Sequence, residues 1–315
     1  MSAFSAVDLS QYTVAWICNR EIEFKAAVSA LDEVHVDYIG PCAPGHYPEG
    51  WLVYAFGEIQ GNNVVIVSAQ RYKPNGVIAS MDIQQTIRDF FPRVRVSMMV
   101  TTGGGVPRDK HDVRLGDVVV SKFANPLTVV NVEDVDMEDN RSKITPQAMS
   151  PPSRWAERAR CSFEQDIKQK RDNVSAHLAN IVQKNPECVF PSTADDLLFE
   201  SADEHQGKYG QGCEQCDAGK AIQRPVRDDT SPRVHFGPVA SGAAIGRAMD
   251  YRDALTNDTG AIAVQIGAIP LMEFLRPLLV VGVANYADYH ANEEWENYAA
   301  AAAAACAKAI VEGMP

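Results

Sequence analysis

Val96 to Lys122 reads VSMMVTTGGGVPRDKHDVRLGDVVVSK, and the fold is decided by how this stretch is read. It opens on an apolar run, Val96 to Val100, short and bounded like a buried strand. Thr101, Thr102 and three glycines, Gly103 to Gly105, follow. After them come a proline-bearing polar loop and a second β-branched run, Val118 to Val120. A buried strand that ends in hydroxyls and bare backbone amides suits an anion or a polar ligand. A flexible turn between two strands is the competing reading.

Working outward, Tyr12 to Cys18 reads as a first buried strand, and Asn19 to Ala27 as a helix start with Glu21 and Glu23 in its first turn. Carboxylates there are favoured by the helix dipole alone. Glu23 also stands just beyond a strand end, where open α/β sheets place their ligands. Leu52 to Ile59 and Asn63 to Ala69 read as strands joined by a turn at Gln60-Gly61-Asn62, and Met81 to Phe91 as an amphipathic helix. No glycine occurs between Gly116 and Gly207. Across Asn125 to Arg233 the charge is dense, and Pro151 to Lys184 reads as one long helix packed outside the sheet, with Trp155, Ala159, Phe163, Ile167 and Val174 at helical spacing. The whole chain, 1–315, is expected to be one domain carrying this charged helical and loop insert at about 125–233.

Composition bounds the function. The net charge of −12 argues against nucleic acid or an anionic membrane as partner, and no run approaches the roughly 18 apolar residues of a membrane span. The start of the chain lacks the basic region and apolar core of a signal peptide, and seven scattered cysteines form no secreted disulfide framework. A reducing, cytoplasmic setting is expected.

The phrase DVRLGDVVVS, with Asp112, Arg114, Leu115, Gly116 and Asp117, resembles nucleoside phosphorylases and nucleosidases, most of all their fungal branch. The resemblance runs in order along essentially the whole chain: VHFG at Val234–Gly237, ASG at Ala240–Gly242, NYAD at Asn285–Asp288, and the alanine-rich terminal helix from Tyr298 to Val311. It implies a three-layer α/β/α sandwich around a mixed, twisted sheet. It also implies a homo-oligomer, a small-molecule substrate and no cofactor.

By the same resemblance, Glu23 matches the glutamate that activates water in nucleosidases. The ligand-facing positions are rewritten. Tyr72 replaces a glycine in a loop lining the phosphate or ribose, and Thr101 and Thr102, ahead of Gly103, replace glycine and isoleucine. Gln265, Ile266 and Gly267 stand where relatives read Glu-Met-Glu, so the carboxylate that binds the ribose hydroxyls is gone. Asn285 replaces the aspartate that protonates the purine, and an amide cannot act as a general acid. His235 either faces the site or is a satisfied core histidine, and Asp288 completes the candidate substrate-binding set.

His205 with Cys213 and Cys216 offers three of the four ligands of a zinc site, but no second cysteine pair stands nearby. The relatives show a similar loop, so a structural hairpin or a reversible disulfide is expected and no metal is assigned.

These replacements spare the scaffold and change the pocket, which points to a diverged enzyme acting on a non-nucleoside small molecule, for example by cyclisation, elimination or isomerisation in fungal specialised metabolism. Glu23 would be the base, with Asn285, Gln265, Thr101 and Thr102 donating hydrogen bonds. A purine nucleosidase or phosphorylase and a non-catalytic binding module are the alternatives. The ending at Gly313-Met314-Pro315, soon after the domain, favours an enzyme over a module of a larger protein.

Overall fold

A computed structural model of the chain describes residues 7–39, 52–69, 76–108, 111–122, 129–138, 141–191, 196–200, 203, 205, 206, 213, 215–242, 252–288, 290 and 293–314. In chain order it runs β1 (Val14–Cys18), α1 (Glu21–Ala30), β2 (Glu33–Ile39), β3 (Val53–Ile59), β4 (Asn62–Ser68), α2 (Gly76–Phe90), β5 (Val96–Gly105) and β6 (Val118–Ser121). Then come β7 (Val129–Glu138), β8 (Arg141–Ala148), α3 (Arg154–Lys168), α4 (Val174–Lys184), β9 (Val234–Gly237), β10 (Val239–Ser241), α5 (Arg252–Thr259), β11 (Ala263–Val264), β12 (Leu278–Asn285) and α6 (Glu294–Glu312).

The strands form one mixed sheet covered on both faces, an α/β sandwich of three layers. Period-two alternation sorts the side chains. Val14, Trp16 and Cys18 of β1 join Met98 and Val100 of β5 under α1, α3, α4 and α6. Ala15, Ile17 and Met99 face the other way, against Ile83 and Ile87 of α2 and the short turn Ile269–Met272. The alanines of α6 let that helix lie directly on β12. A Cβ on Gly282 would sit 2.0 Å from the Ala299 carbonyl oxygen, so the strand must be bare there.

Three expectations are corrected. First, Thr101 to Gly105 is strand, not loop: β5 runs ten residues, and its glycine backbones pair with β12 on one side and β11 on the other. Their bareness makes room for neighbours, since a Cβ on Gly103 would stand 2.3 Å from the Val264 carbonyl oxygen. Second, the long helix is two helices, α3 and α4, broken where Lys170 takes φ +53°. Third, the charged stretch is not helix and loop alone. β7 and β8 form a hairpin, and β7 joins the sheet beside β10. The turn after β3 lies where expected, with Gln60 and Gly61 both at positive φ, the backbone a tight hairpin demands.

Candidate functional site

β5 is the axis of the site. On one edge it pairs in parallel with β1 over Val96–Met99, and further along with β11, antiparallel, at Gly104 and Gly105. Between the end of β1 and the end of β11 lies a fork at which the β5 edge has no strand partner among the described residues. Glu23 fills it.

The chain leaves β1 at Cys18 and turns into α1, placing Glu23 at the third position of that helix. One carboxylate oxygen accepts from the backbone N–H of Asn19 at 2.8 Å and of Arg20 at 3.0 Å. The other accepts from Thr102 twice, from its N–H at 2.8 Å and its hydroxyl at 3.2 Å. A carboxylate with about four lone-pair sites is thereby saturated. The side chain is buried, and burial pushes its pKa above the ordinary glutamate value, while the amides of Thr102, Asn19 and Arg20 pull it back down.

Strand alternation sends Thr101 to the opposite face from Thr102. Its hydroxyl is buried and has no hydrogen-bond partner among the described residues. On that face also lies Gln265, whose side-chain amide donates to Met99 Sδ at 3.3 Å and to the Ile266 carbonyl, while its oxygen accepts from the Ser241 hydroxyl at 3.4 Å. The neighbouring Ile266 is exposed, and its carbonyl also receives the Asn19 amide at 3.2 Å, which ties the β11 exit to the β1 exit. The Gly267 carbonyl accepts from the buried Ser80 hydroxyl at 2.7 Å, and Gly267 itself takes φ +96°, a backbone that side chains disfavour.

Asn285 ends β12 opposite Gly104, and its side-chain oxygen accepts from the Ala287 N–H at 2.9 Å. Gly104 has to be bare for this, because a Cβ there would lie 2.8 Å from that oxygen. Glu23, Thr102, Gly103, Ile266, Gln265 and Asn285 therefore gather around the ends of β1, β5 and β12.

Two candidates lie elsewhere. His235 on β9 bonds through Nε2 to Asp117 at 2.9 Å. Asp117 also accepts from both terminal nitrogens of Arg227, at 2.6 and 2.7 Å, and from the N–H groups of Arg114 and Arg233. The DVRLGD phrase is thus the collar of a buried carboxylate. Burial works to raise the Asp117 pKa, but Arg227 and His235 outweigh it and hold it below the ordinary value. A cavity under this collar is lined by Gly116, Asp117, Arg227, Thr230 and Trp295 and not by the residues of the fork. Asp288, the other candidate, is buried, paired with Arg252 at 2.8 Å and capped by the His290 N–H at 2.9 Å. Tyr72 lies outside the described residues.

Sequence reasoning missed Asn19 and Ser80, whose partners stand 247 and 187 positions away. For Asn19 the usable signal was its place immediately after a strand.

No protein-family model matches the chain. It is 31% identical over 308 residues to a nucleotide-binding leucine-rich repeat (NLR)-like protein of Hyaloscypha variabilis, a match covering 96% of this chain and 29% of that protein. The chain thus spans less than a third of that relative. Among solved structures it resembles futalosine hydrolase of Helicobacter pylori, at TM-score 0.55 and 12% identity over 96% of this chain and 97% of the other. It also resembles the 5′-methylthioadenosine/S-adenosylhomocysteine nucleosidase of Neisseria meningitidis, at TM-score 0.55 and 15% identity over 96% and 99%. The S-adenosylhomocysteine nucleosidase of Streptococcus pyogenes gives TM-score 0.55 and 13% identity over 97% and 98%. The chain has the nucleoside phosphorylase/nucleosidase fold, and its match to a fungal protein agrees with the fungal branch to which its sequence phrases point.

Proposed function

We propose that the chain is an acid/base enzyme that works at the fork of β5 on a neutral, non-nucleoside small molecule, with Glu23 as the proton-accepting group. What supports this reading is a buried Glu23 together with Gly267, at φ +96°, at the position where the family resemblance implies a ribose-binding glutamate. A carboxyl whose pKa is raised by burial exchanges protons closer to neutral pH than an ordinary one. The Thr102 hydroxyl orients it, while Asn285 supplies a neutral polar contact to the ligand. Elimination, isomerisation or cyclisation needs such a base and polarising hydrogen bonds but no proton delivery to a purine. A place in fungal specialised metabolism, in the cytoplasm and as a homo-oligomer, belongs to this reading.

A second reading has its own support. All four acceptor positions of Glu23 are occupied from within the chain, and the fungal relative is more than three times as long. Both suit a ligand-sensing module of a larger protein, in which Glu23 is a structural clasp.

The test is to incubate the protein and its Glu23→Gln variant with adenosine, inosine, guanosine and methylthioadenosine, with and without phosphate, and separately with a fungal small-molecule extract followed by mass spectrometry. Glu23-dependent consumption of an extract component with no free base supports the proposal. Free base released at enzymatic rates restores the nucleosidase reading. Retention of a compound without its conversion assigns the module.

A further inference from the structure

Outside the fork, His205, Cys213 and Cys216 come together on the surface loops that precede β9. We propose that these three side chains form a zinc-type metal site that clasps the loop leaving β12. Their ligand atoms lie within 4.8 Å of one another, with His205 Nδ1 at 3.3 Å from Cys216 Sγ. In a tetrahedral site with Zn–S near 2.3 Å and Zn–N near 2.0 Å, neighbouring ligands stand about 3.5–3.8 Å apart. The three atoms therefore close on one ion with a small adjustment.

The local backbone suits ligation. The Cys216 N–H donates to the Cys213 carbonyl at 3.0 Å, so the Cys-x-x-Cys pair forms a turn that brings its two sulfurs to one side. The Gln206 N–H points at Cys216 Sγ at 3.4 Å, a contact that favours a thiolate. Neither cysteine is in a disulfide, and two soft sulfurs with one imidazole select zinc over magnesium or calcium. The fourth position belongs to water or another exchangeable donor.

The rings packed around His205 give the site its consequence. The His205 ring meets the His290 ring edge-on at 5.3 Å, and His290 stacks on Phe199 at 4.2 Å. His205 Nε2 and His290 Nδ1 are both buried with no hydrogen-bond partner among the described residues. A metal on His205 Nδ1 places the ring proton on Nε2 and fixes the imidazole edge-on against His290. His290 N–H in turn holds Asp288, which pairs with Arg252, and Asp288 lies three residues beyond Asn285. The ion thus braces the segment that carries Asn285 to the fork.

The experiment is cobalt(II) and zinc titration of the reduced, tag-free full chain, with elemental analysis of the protein as purified. The expected result is about one equivalent of metal per chain and an intense sulfur-to-cobalt charge-transfer band that zinc displaces. Cys213→Ser and Cys216→Ser remove the band, while Cys161→Ser, at an exposed free cysteine, keeps it. Because the wild-type titration reads the site directly, a variant that fails to fold does not decide the matter. No thiolate band in the reduced wild type overturns the proposal. So does a Cys213–Cys216 disulfide that persists under reductant, or a band that survives loss of both cysteines.

Discussion

Glu23→Gln is the change whose cost can be worked from the geometry. The carboxylate receives two donors on each oxygen, three of them backbone N–H groups. Glutamine keeps one oxygen. Turned towards Asn19 and Arg20, it leaves the amide nitrogen facing the Thr102 N–H, while the Thr102 hydroxyl rotates to accept. One buried N–H is then orphaned, at about 1–3 kcal/mol. The two surviving bonds lose their charge assistance, at about 1 kcal/mol each. Relief from burying a charge offsets part of this, leaving a net loss of about 2 kcal/mol at neutral pH. Against the usual 5–15 kcal/mol the domain stays folded, so loss of turnover in this variant reports chemistry. Urea unfolding at constant m measures the difference.

Its pH dependence has a definite sign. A raised folded-state pKa means that Glu23 contributes most below the ordinary glutamate value of about 4.3, and less as pH rises through the folded value. The gap between wild type and variant should therefore narrow from pH 4 to pH 7. A gap that widens over this range would show that the four donors outweigh burial, and a loss below about 0.5 kcal/mol at every pH would refute the clasp itself.

Other predictions concern the scaffold and the fork. Asp117→Asn should cost about 3–5 kcal/mol at neutral pH by leaving Arg227 and His235 without their carboxylate, and the gap to wild type should shrink as pH falls below about 3.9, since a depressed pKa confers stability only above that value. A flat gap under acid unfolding refutes this. Gly282→Ala drives a methyl against the Ala299 carbonyl and should cost about 1–3 kcal/mol, read as a lower melting temperature; no change would mean that α6 moves freely on β12. Thr101→Val removes a buried hydroxyl that has no partner among the described residues and should stabilise the chain by about 1 kcal/mol, whereas destabilisation would reveal a bond to that hydroxyl. Restoring Gly267→Glu together with Asn285→Asp should not rescue nucleoside binding, because a glutamate at φ +96° strains the backbone; recovered binding by calorimetry would show that the segment relaxes.

By itself the sequence marked β1, β3, β4, β6 and the start of β5, while the layers came with the family resemblance of its phrases. Val14–Cys18 and Val118–Ser121 are apolar runs bounded by polar turns, and such runs have few other places to go than a covered sheet. It also marked Glu23, because a strand followed by a helix start is a local pattern. What it did not determine were features made by distant partners. Gly103 to Gly105 carry little β propensity, and become strand only because β12 and β11 pair with them. His235 is answered by Asp117, 118 positions away, and Thr102 by Glu23, 79 positions away. Two cysteines and a histidine looked like a plain surface hairpin until the folded loops brought their ligand atoms within reach of one ion. Local chemistry fixes which elements form, whereas the tertiary structure decides which polar groups meet, because hydrogen bonds and ion pairs act only at contact and contact is set by how the sheet is wound.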